Sequence, residues 1–322
     1  MAAASLAAEE RGPRFAALDV LRGVAVAAMV VYHGSWDLRA FNLISVDVVN
    51  ELGWRLFART IAGTFVALVG VNLVLAARRG FRPRPFLRRL AILIAAAGLV
   101  SLGTYYMDPN TFVFFGILHM IAVGSVLALP FLFAPLSVVV IAAVLSLLAP
   151  HYLTYPVFDM AGWWWLGLTP HPPPTVDYVP LLPWFGLILG GIVAGRLFLA
   201  HGGASRVAHW RPSNLAERLV ALVGRWSLAV YVIHQPILIG ALFLLAPFIV
   251  HPPAATAETF ASQCSASCRA DGGDPPTCEL FCGCVLSGLK DARLPPVTND
   301  ASLSPADRDR WQAVVGQCRP AN

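Results

Sequence analysis

Seven runs of apolar residues dominate the chain, at about 15–33, 54–77, 87–105, 112–133, 134–150, 180–199 and 219–250. Each comes close to the ~20 residues that a helix needs to cross ~30 Å of hydrocarbon. Inside that layer no water satisfies a bare peptide group, so such runs cross as helices and pack into a bundle. Composition agrees: 57% of residues are apolar and 13% charged, with a mean hydropathy of +0.66, outside the range of a soluble domain. The last run is long enough to begin as an interfacial turn near Leu219 and cross from about Gly224. The fourth and fifth meet at Ala134-Pro135. Arg11 and Arg14 precede the first run as they would in a signal peptide. Asp19 and Arg22 interrupt it, however, and no small-x-small cleavage site follows His33, which predicts a retained helix. The expected fold is all-α: a polytopic membrane bundle of about seven transmembrane helices over 1–250, then a tail of different composition over 251–322.

Lysine and arginine counts in short loops set orientation. Arg78, Arg79, Arg82, Arg84, Arg88 and Arg89 follow the second run, and Arg196, Arg206, Arg211 and Arg218 cluster around the end of the sixth. The alternate loops carry mainly Asp37, Asp47, Glu51, Asp108, Asp159 and Asp177. This alternation predicts a cytoplasmic N-terminus and an external C-terminus. The net charge of +5 is then a topology signal. The arginines are not interleaved with aromatic residues for base stacking, so no nucleic-acid partner is expected; the partner is the lipid bilayer.

All six cysteines lie in the tail, the first four as C-x3-C, nine residues, C-x3-C. An i, i+4 pair shares one helix face, and Asp271-Gly-Gly-Asp-Pro-Pro276 is a turn. The pattern suggests a helical hairpin bridged as Cys264–Cys282 and Cys268–Cys278, with Cys284 and Cys318 left for a third bridge, although six cysteines allow other connectivities. Ser304-Pro305 reads as the cap and first position of a last short helix. A zinc site would want C-x2-C spacing or clustered histidines, and the tail has neither, so no metal is expected. Disulfides persist outside the cytosol, which agrees with the side that the arginines assign to this tail.

Polar residues inside the apolar runs are the candidate site. "MVVYHGSWD" ends the first run on His33, Ser35, Trp36 and Asp37, at its outer mouth. These residues read either as an interfacial belt or as functional groups. Asp19 and Arg22 sit one turn apart at the other end. His119 lies in "FFGILHMIA", His234 in "AVYVIHQPILIG" and Asn72 in "LVGVNLVLA", with Arg225 and Trp226 at the inner end of the seventh run. Pro236 is expected to kink or open that helix. Ionisable groups within a membrane helix are costly and face a partner or a water-filled cavity.

Five stretches, "RFAALDVLRGVAVAAMVVYHGSWDL", "FARTIAGTFVALVGVNLVLA", "FFGILHMIAVGSVLALPFLF", "WWWLGLTPHPPPTVDYVPLLPWFG" and "LVGRWSLAVYVIHQPILIG", resemble the bacterial branch of the heparan-α-glucosaminide N-acetyltransferase catalytic-domain family, over roughly residues 14–250. The resemblance implies transmembrane acyl transfer, from acetyl-CoA in the cytosol to an amine or hydroxyl outside, here of a cell-envelope glycan, in a bacterial inner membrane. It also implies an essential histidine just beyond the first helix. By spacing from Met29, His33 stands where the family has an asparagine, yet "HGSW" resembles the text around the family's histidine. Neutral imidazole suits a base near pH 7, so His33, oriented by Asp37, is expected to act as base or to carry the acetyl group transiently. Arg22 and Arg225 are expected to hold the coenzyme's phosphates, with Asp19 holding Arg22, while His119, His234 and Asn72 line the route. The residues alone leave other classes open: a permease hinged at the seventh helix, a haem-b electron carrier with His119 and His234 as axial ligands, or a scaffold for envelope enzymes.

Overall fold

A computed structural model describes residues 15–41, 43–201, 209–249, 257–270, 272–297 and 303–318. Among them the regular elements are all helices, without strands, and the chain divides into two compact units, residues 1–243 and 244–322. The first unit contains α1 (Ala16–Ala40), α2 (Leu52–Ala77), α3 (Pro83–Met107), α4 (Ile117–Leu127), α5 (Leu136–Tyr152), α6 (Leu181–Ala200), α7 (Leu215–Arg225) and most of α8 (Ser227–Ile249). Five of these, α1, α2, α3, α6 and α8, are long and apolar enough to cross a membrane, while α4 and α5 are shorter apolar helices.

The fourth run and the end of the first depart from the sequence reading, while the last run divides as its length suggested. The run at 112–133 yields only the 11-residue α4 and a single 3-10 turn at Pro130–Leu132. Residues ahead of α4 are held in a turn by the Asp108 side chain, which accepts from the Asn110 N–H at 3.0 Å and from the Thr111 hydroxyl at 2.7 Å. Pro130 then removes an N–H that a continuing helix would need. The last run breaks at Trp226 into two helices. In α7, Asn214 caps the Glu217 N–H at 2.8 Å and Glu217 returns to the Ser213 N–H at 2.6 Å, a reciprocal N-terminal cap. Its Leu215, Leu219 and Leu222 stay exposed on one face while Ala221 and Gly224 are buried on the other, as an interfacial helix requires. Finally, α1 does not stop at His33 but continues to Ala40, so His33 to Asp37 belong to the helix. The helix α8 likewise runs on through Pro236.

The core lies where α2, α4, α5 and α6 meet, around Val66, Met120, Val139, Ile188 and Ile192. With lipid outside and apolar side chains inside, close backbone approach replaces hydrophobic contrast as the packing force. Gly70 and Gly191 supply it between α2 and α6, where an added Cβ would overlap the carbonyls of Ile188 and Ala67. The pair Gly23 and Gly224 does the same for α1 and α7, against the carbonyls of Val220 and Asp19.

In the second unit, α9 (Ala257–Ala270), α10 (Pro275–Asp291) and α11 (Pro305–Cys318) surround a small core of Phe260, Val285, Leu289 and Leu294. The bridges are Cys264–Cys282, Cys268–Cys278 and Cys284–Cys318, the pairing that the i, i+4 spacing favoured. Asp274 caps α10 through the Thr277 N–H and Ser304 caps α11 through the Asp307 N–H, both at 3.2 Å.

Candidate active site

The glycine contact between α1 and α7 brings two sequence-distant ionic groups together. Asp19 accepts from Arg22 at 2.8 Å and faces Arg225 Nε at 3.7 Å. Arg22 also donates to Asn72 Oδ1 at 2.6 Å, tying α1 to α2. Asp19, Arg22, Asn72 and Arg225 thus form one cluster, and all but Asp19 line a cavity of about 850 Å³. Helix α3 adds Arg84, Arg88 and Arg89 to the same wall, at i, i+4 and i+5.

Charge decides what this cavity can hold. Five arginines line it, and Asp19 is the acid that pairs with them among the described residues. Two like charges ~6 Å apart repel by ~3 kcal/mol at an effective dielectric of ~20. Such a cluster therefore favours a polyanion in its midst. The rest of the lining is largely apolar, with Phe65, Leu68, Ile121 and Leu228, and Ile117 and Tyr231 also contribute to it.

A second cluster joins α1 to α8. The rings of His33 and His234 meet edge to face, with centroids 5.0 Å apart. His234 Nδ1 lies 2.7 Å from the Tyr231 carbonyl oxygen, so Nδ1 carries the proton and Nε2 the lone pair. Asp37 is 1% exposed and accepts from Gln235 Nε2 at 3.1 Å; its partner is Gln235 rather than His33. Three buried side-chain atoms lack a partner among the described residues: Asp37 Oδ2, His234 Nε2 and Gln235 Oε1. All three are acceptors and all lie here. Buried polar atoms are ordinarily satisfied, so this grouping marks a place that suits a hydrogen-bond donor.

His119 stands apart from both clusters. Its Nδ1 accepts from the Gly116 N–H at 3.3 Å, capping α4, and its Nε2 contacts Ser101 Oγ at 3.3 Å. With both nitrogens engaged it is tied into the α3–α4 connection. The arginines of α3, Gln235, Tyr231 and Asp177 were not singled out as site residues from sequence. The arginines were hidden because loop arginines already served as an orientation signal, although the spacing of 84, 88 and 89 on one helix face was visible. Asp177 accepts from the Ile117 N–H at 3.0 Å, a contact across 60 residues that no local pattern announces.

The model of one protein family, described as heparan-alpha-glucosaminide N-acetyltransferase, catalytic, matches residues 14–236. The chain belongs to that family. No curated protein and no solved structure matches it. The match contains every arginine, histidine and carboxylate of the two clusters, and it ends before the disulfide-bridged unit. This places the chain among the membrane acetyltransferases, with the disulfide-bridged unit outside the matched residues.

Proposed function

We propose that this protein moves an acetyl group from cytosolic acetyl-CoA to an amine or hydroxyl of an extracytoplasmic, cell-envelope glycan. The observation that carries this is the arginine-lined cavity. Coenzyme A presents several phosphate charges, and guanidinium groups are their fitting partners through bidentate contacts. Its pantetheine arm suits the apolar walls of Phe65, Leu68, Ile121 and Leu228. With the arginine loops on the cytoplasmic side, the phosphates stay at the inner face. The thioester then points toward Tyr231, whose carbonyl holds His234.

The histidine cluster supplies the chemistry. The acceptor's nitrogen or oxygen attacks the acetyl carbonyl carbon, the carbon–sulfur bond breaks, and the coenzyme leaves as a thiolate. The proton lost by the acceptor passes to an imidazole and from there to the departing sulfur, so that charge balances. His33 serves as that base or carries the acetyl group in between. The three unpartnered acceptors, Asp37 Oδ2, His234 Nε2 and Gln235 Oε1, suit the N–H or O–H groups of the incoming acceptor. Asp37, fixed by Gln235, contributes charge to this pocket. The haem alternative fits less well, because both His119 nitrogens already have partners.

The test is direct. Purified protein in nanodiscs is incubated with acetyl-labelled acetyl-CoA and glucosamine as probe acceptor, and label leaving the coenzyme is followed by chromatography. Label transferred to the sugar supports the reading. Retention of all label on the coenzyme, together with no binding of coenzyme A, overturns it.

A further inference from the structure

We propose that Phe41 and Phe243 close the acceptor's entrance to the histidine cluster, and keep water from the acetyl group until an acceptor parts them. This rests on the function proposed above.

One face of α1 meets the segment from Arg225 to Phe243 along most of its length. Asp19, His33, Asp37 and the C-cap residue Phe41 lie within ~80° of one another around the helix axis, at 3.6 residues per turn. Their partners follow in the same chain order. Asp19 faces Arg225 at 3.7 Å, the His33 and His234 rings meet at 5.0 Å, and Asp37 accepts from Gln235 at 3.1 Å. The last pair is Phe41 with Phe243, edge to face, with ring centroids 5.2 Å apart. It is the one wholly apolar pair of the four. It lies ~12 Å beyond His33, at 1.5 Å of rise per residue, on the side remote from the arginine cavity.

The site behind this pair is sealed. Asp37 is 1% exposed and His234 7%, and the three unpartnered acceptors lie between α1 and α8. With coenzyme A in the arginine cavity at the other end, an acceptor has to come past Phe41 and Phe243. Sealing suits acyl transfer, because water that reaches the thioester wastes it. The water oxygen attacks the carbonyl carbon, the carbon–sulfur bond breaks, a proton passes to the sulfur, and acetate is lost.

The closing contact is also built to open. Phe243 is 66% exposed, so parting it from Phe41 disrupts no core. Only 6% of the most apolar stretch of α8 is buried, against 44% for α6. Nor does α8 make close backbone packings like those that join α2 to α6 and α1 to α7. Pro236 stands between Gln235 and Phe243 and removes one helical hydrogen bond. The part of α8 that carries Phe243 can therefore swing while Gln235 stays bonded to Asp37.

The experiment compares Phe41→Ala, Phe243→Ala and Phe41→Leu with the wild type, all full-length in nanodiscs. It measures acetyl-CoA hydrolysis without acceptor, the share of label passed to glucosamine, and coenzyme A affinity. Both alanine variants should hydrolyse acetyl-CoA about fivefold faster than wild type or more, and pass a smaller share of label to the sugar. Their coenzyme affinity should stay within about threefold, since the arginine cavity is remote from the change. Phe41→Leu keeps apolar bulk and should fall between wild type and Phe41→Ala. Phe243→Ala alters a mostly exposed side chain and decides the matter if Phe41→Ala misfolds. Hydrolysis by Phe243→Ala within about twofold of a coenzyme-binding wild type overturns the gate alone, as does an effect confined to coenzyme affinity. A wild-type protein that neither binds coenzyme A nor transfers acetyl overturns the underlying function as well, and shows it before any variant is made.

Discussion

Removing Arg89 and removing Arg22 should both weaken ligand binding, but only the loss of Arg22 should cost stability. Both side chains line the cavity. Arg22 is bonded to Asp19 at 2.8 Å and to Asn72 at 2.6 Å, with 24% of its side chain exposed and 13% of that of Asp19. No carboxylate pairs with Arg89 among the described residues, and its side chain is open to the cavity. Arg89→Ala therefore strands no partner and should leave the melting temperature of the ligand-free protein unchanged. It should nonetheless cost a charge-assisted phosphate contact of ~1.5–3 kcal/mol, about ten- to a hundredfold in the Kd for coenzyme A. Arg22→Ala leaves Asp19 facing only Arg225, at 3.7 Å, and Asn72 without its donor. That should cost ~1–3 kcal/mol of stability, in addition to weakening coenzyme binding. Calorimetric titration with coenzyme A at low and moderate salt, beside thermal melting in the same nanodiscs, separates the two effects. Rising salt should narrow the gap between Arg89→Ala and wild type, since part of the lost term is screened. Unchanged affinity in Arg89→Ala, or a destabilisation equal to that of Arg22→Ala, would refute the placing of the phosphates among these arginines.

Other consequences can be checked separately. His33→Ala should abolish acetyl transfer while coenzyme A affinity stays near wild type; full activity in this variant would return His33 to an interfacial role. A reporter fused after Asn322 should behave as external and one inserted between Arg79 and Arg82 as cytoplasmic, and the reverse result would undo the arginine assignment. Cys264→Ser with Cys282→Ser should loosen the tail by ~2–4 kcal/mol without changing the melting of the membrane unit, as followed by cysteine alkylation and coenzyme binding. In the loop before α6, the hydroxyl of Thr169 first, then the ring of His171 at 3.0 Å, holds the Asp159 carboxyl below the usual carboxylate range. A depressed carboxyl contributes its stability above the ordinary value and loses it as pH falls through the depressed one. Trp164 Nε1 donates to the Asp159 carbonyl at 3.0 Å, so tryptophan emission should hold down to about pH 4 and change below it; an Asp159→Asn protein with the same pH profile would show that another group is responsible.

Much of this architecture was legible because the bilayer enforces it. A run of ~20 apolar residues has few options in hydrocarbon, and the i, i+4 cysteines left few sensible pairings in the tail. Helix ends were less legible. Polar residues such as His33, Ser35 and Asp37 look like the water-facing end of a helix. The structure instead keeps α1 helical to Ala40 and buries Asp37 against Gln235. Composition cannot distinguish a polar residue that meets water from one that meets another helix. The cluster of Asp19, Arg22 and Arg225 was anticipated from their shared end of the bundle. Asn72 was recognised as buried, but its bond to Arg22 depends on the packing of α1 on α2, which no single segment encodes.

The same distinction explains why the two clusters differ in how they show themselves. The arginine cavity is built from surplus charge, and charge counts can be read from sequence even where they are taken as a topology signal. The histidine cluster is built from deficit: three acceptors without donors, where α1 meets a helix that apolar packing barely holds. A deficit becomes visible only once every neighbour is known. Burying Asp37 with one oxygen unpartnered costs free energy, and only 6% of the apolar stretch of α8 that it meets is buried to offset that cost. On the proposed function, an acceptor bringing N–H or O–H groups to the site should lower that cost, and the difference should be recovered as affinity for the group to be acetylated. Asp37→Asn tests this sign. The amide it introduces can both donate to and accept from the Gln235 side chain without substrate, so the variant should melt higher than wild type while transferring acetyl more slowly. A variant that melts lower and transfers normally would show that the three acceptors are satisfied by water and take no part in binding.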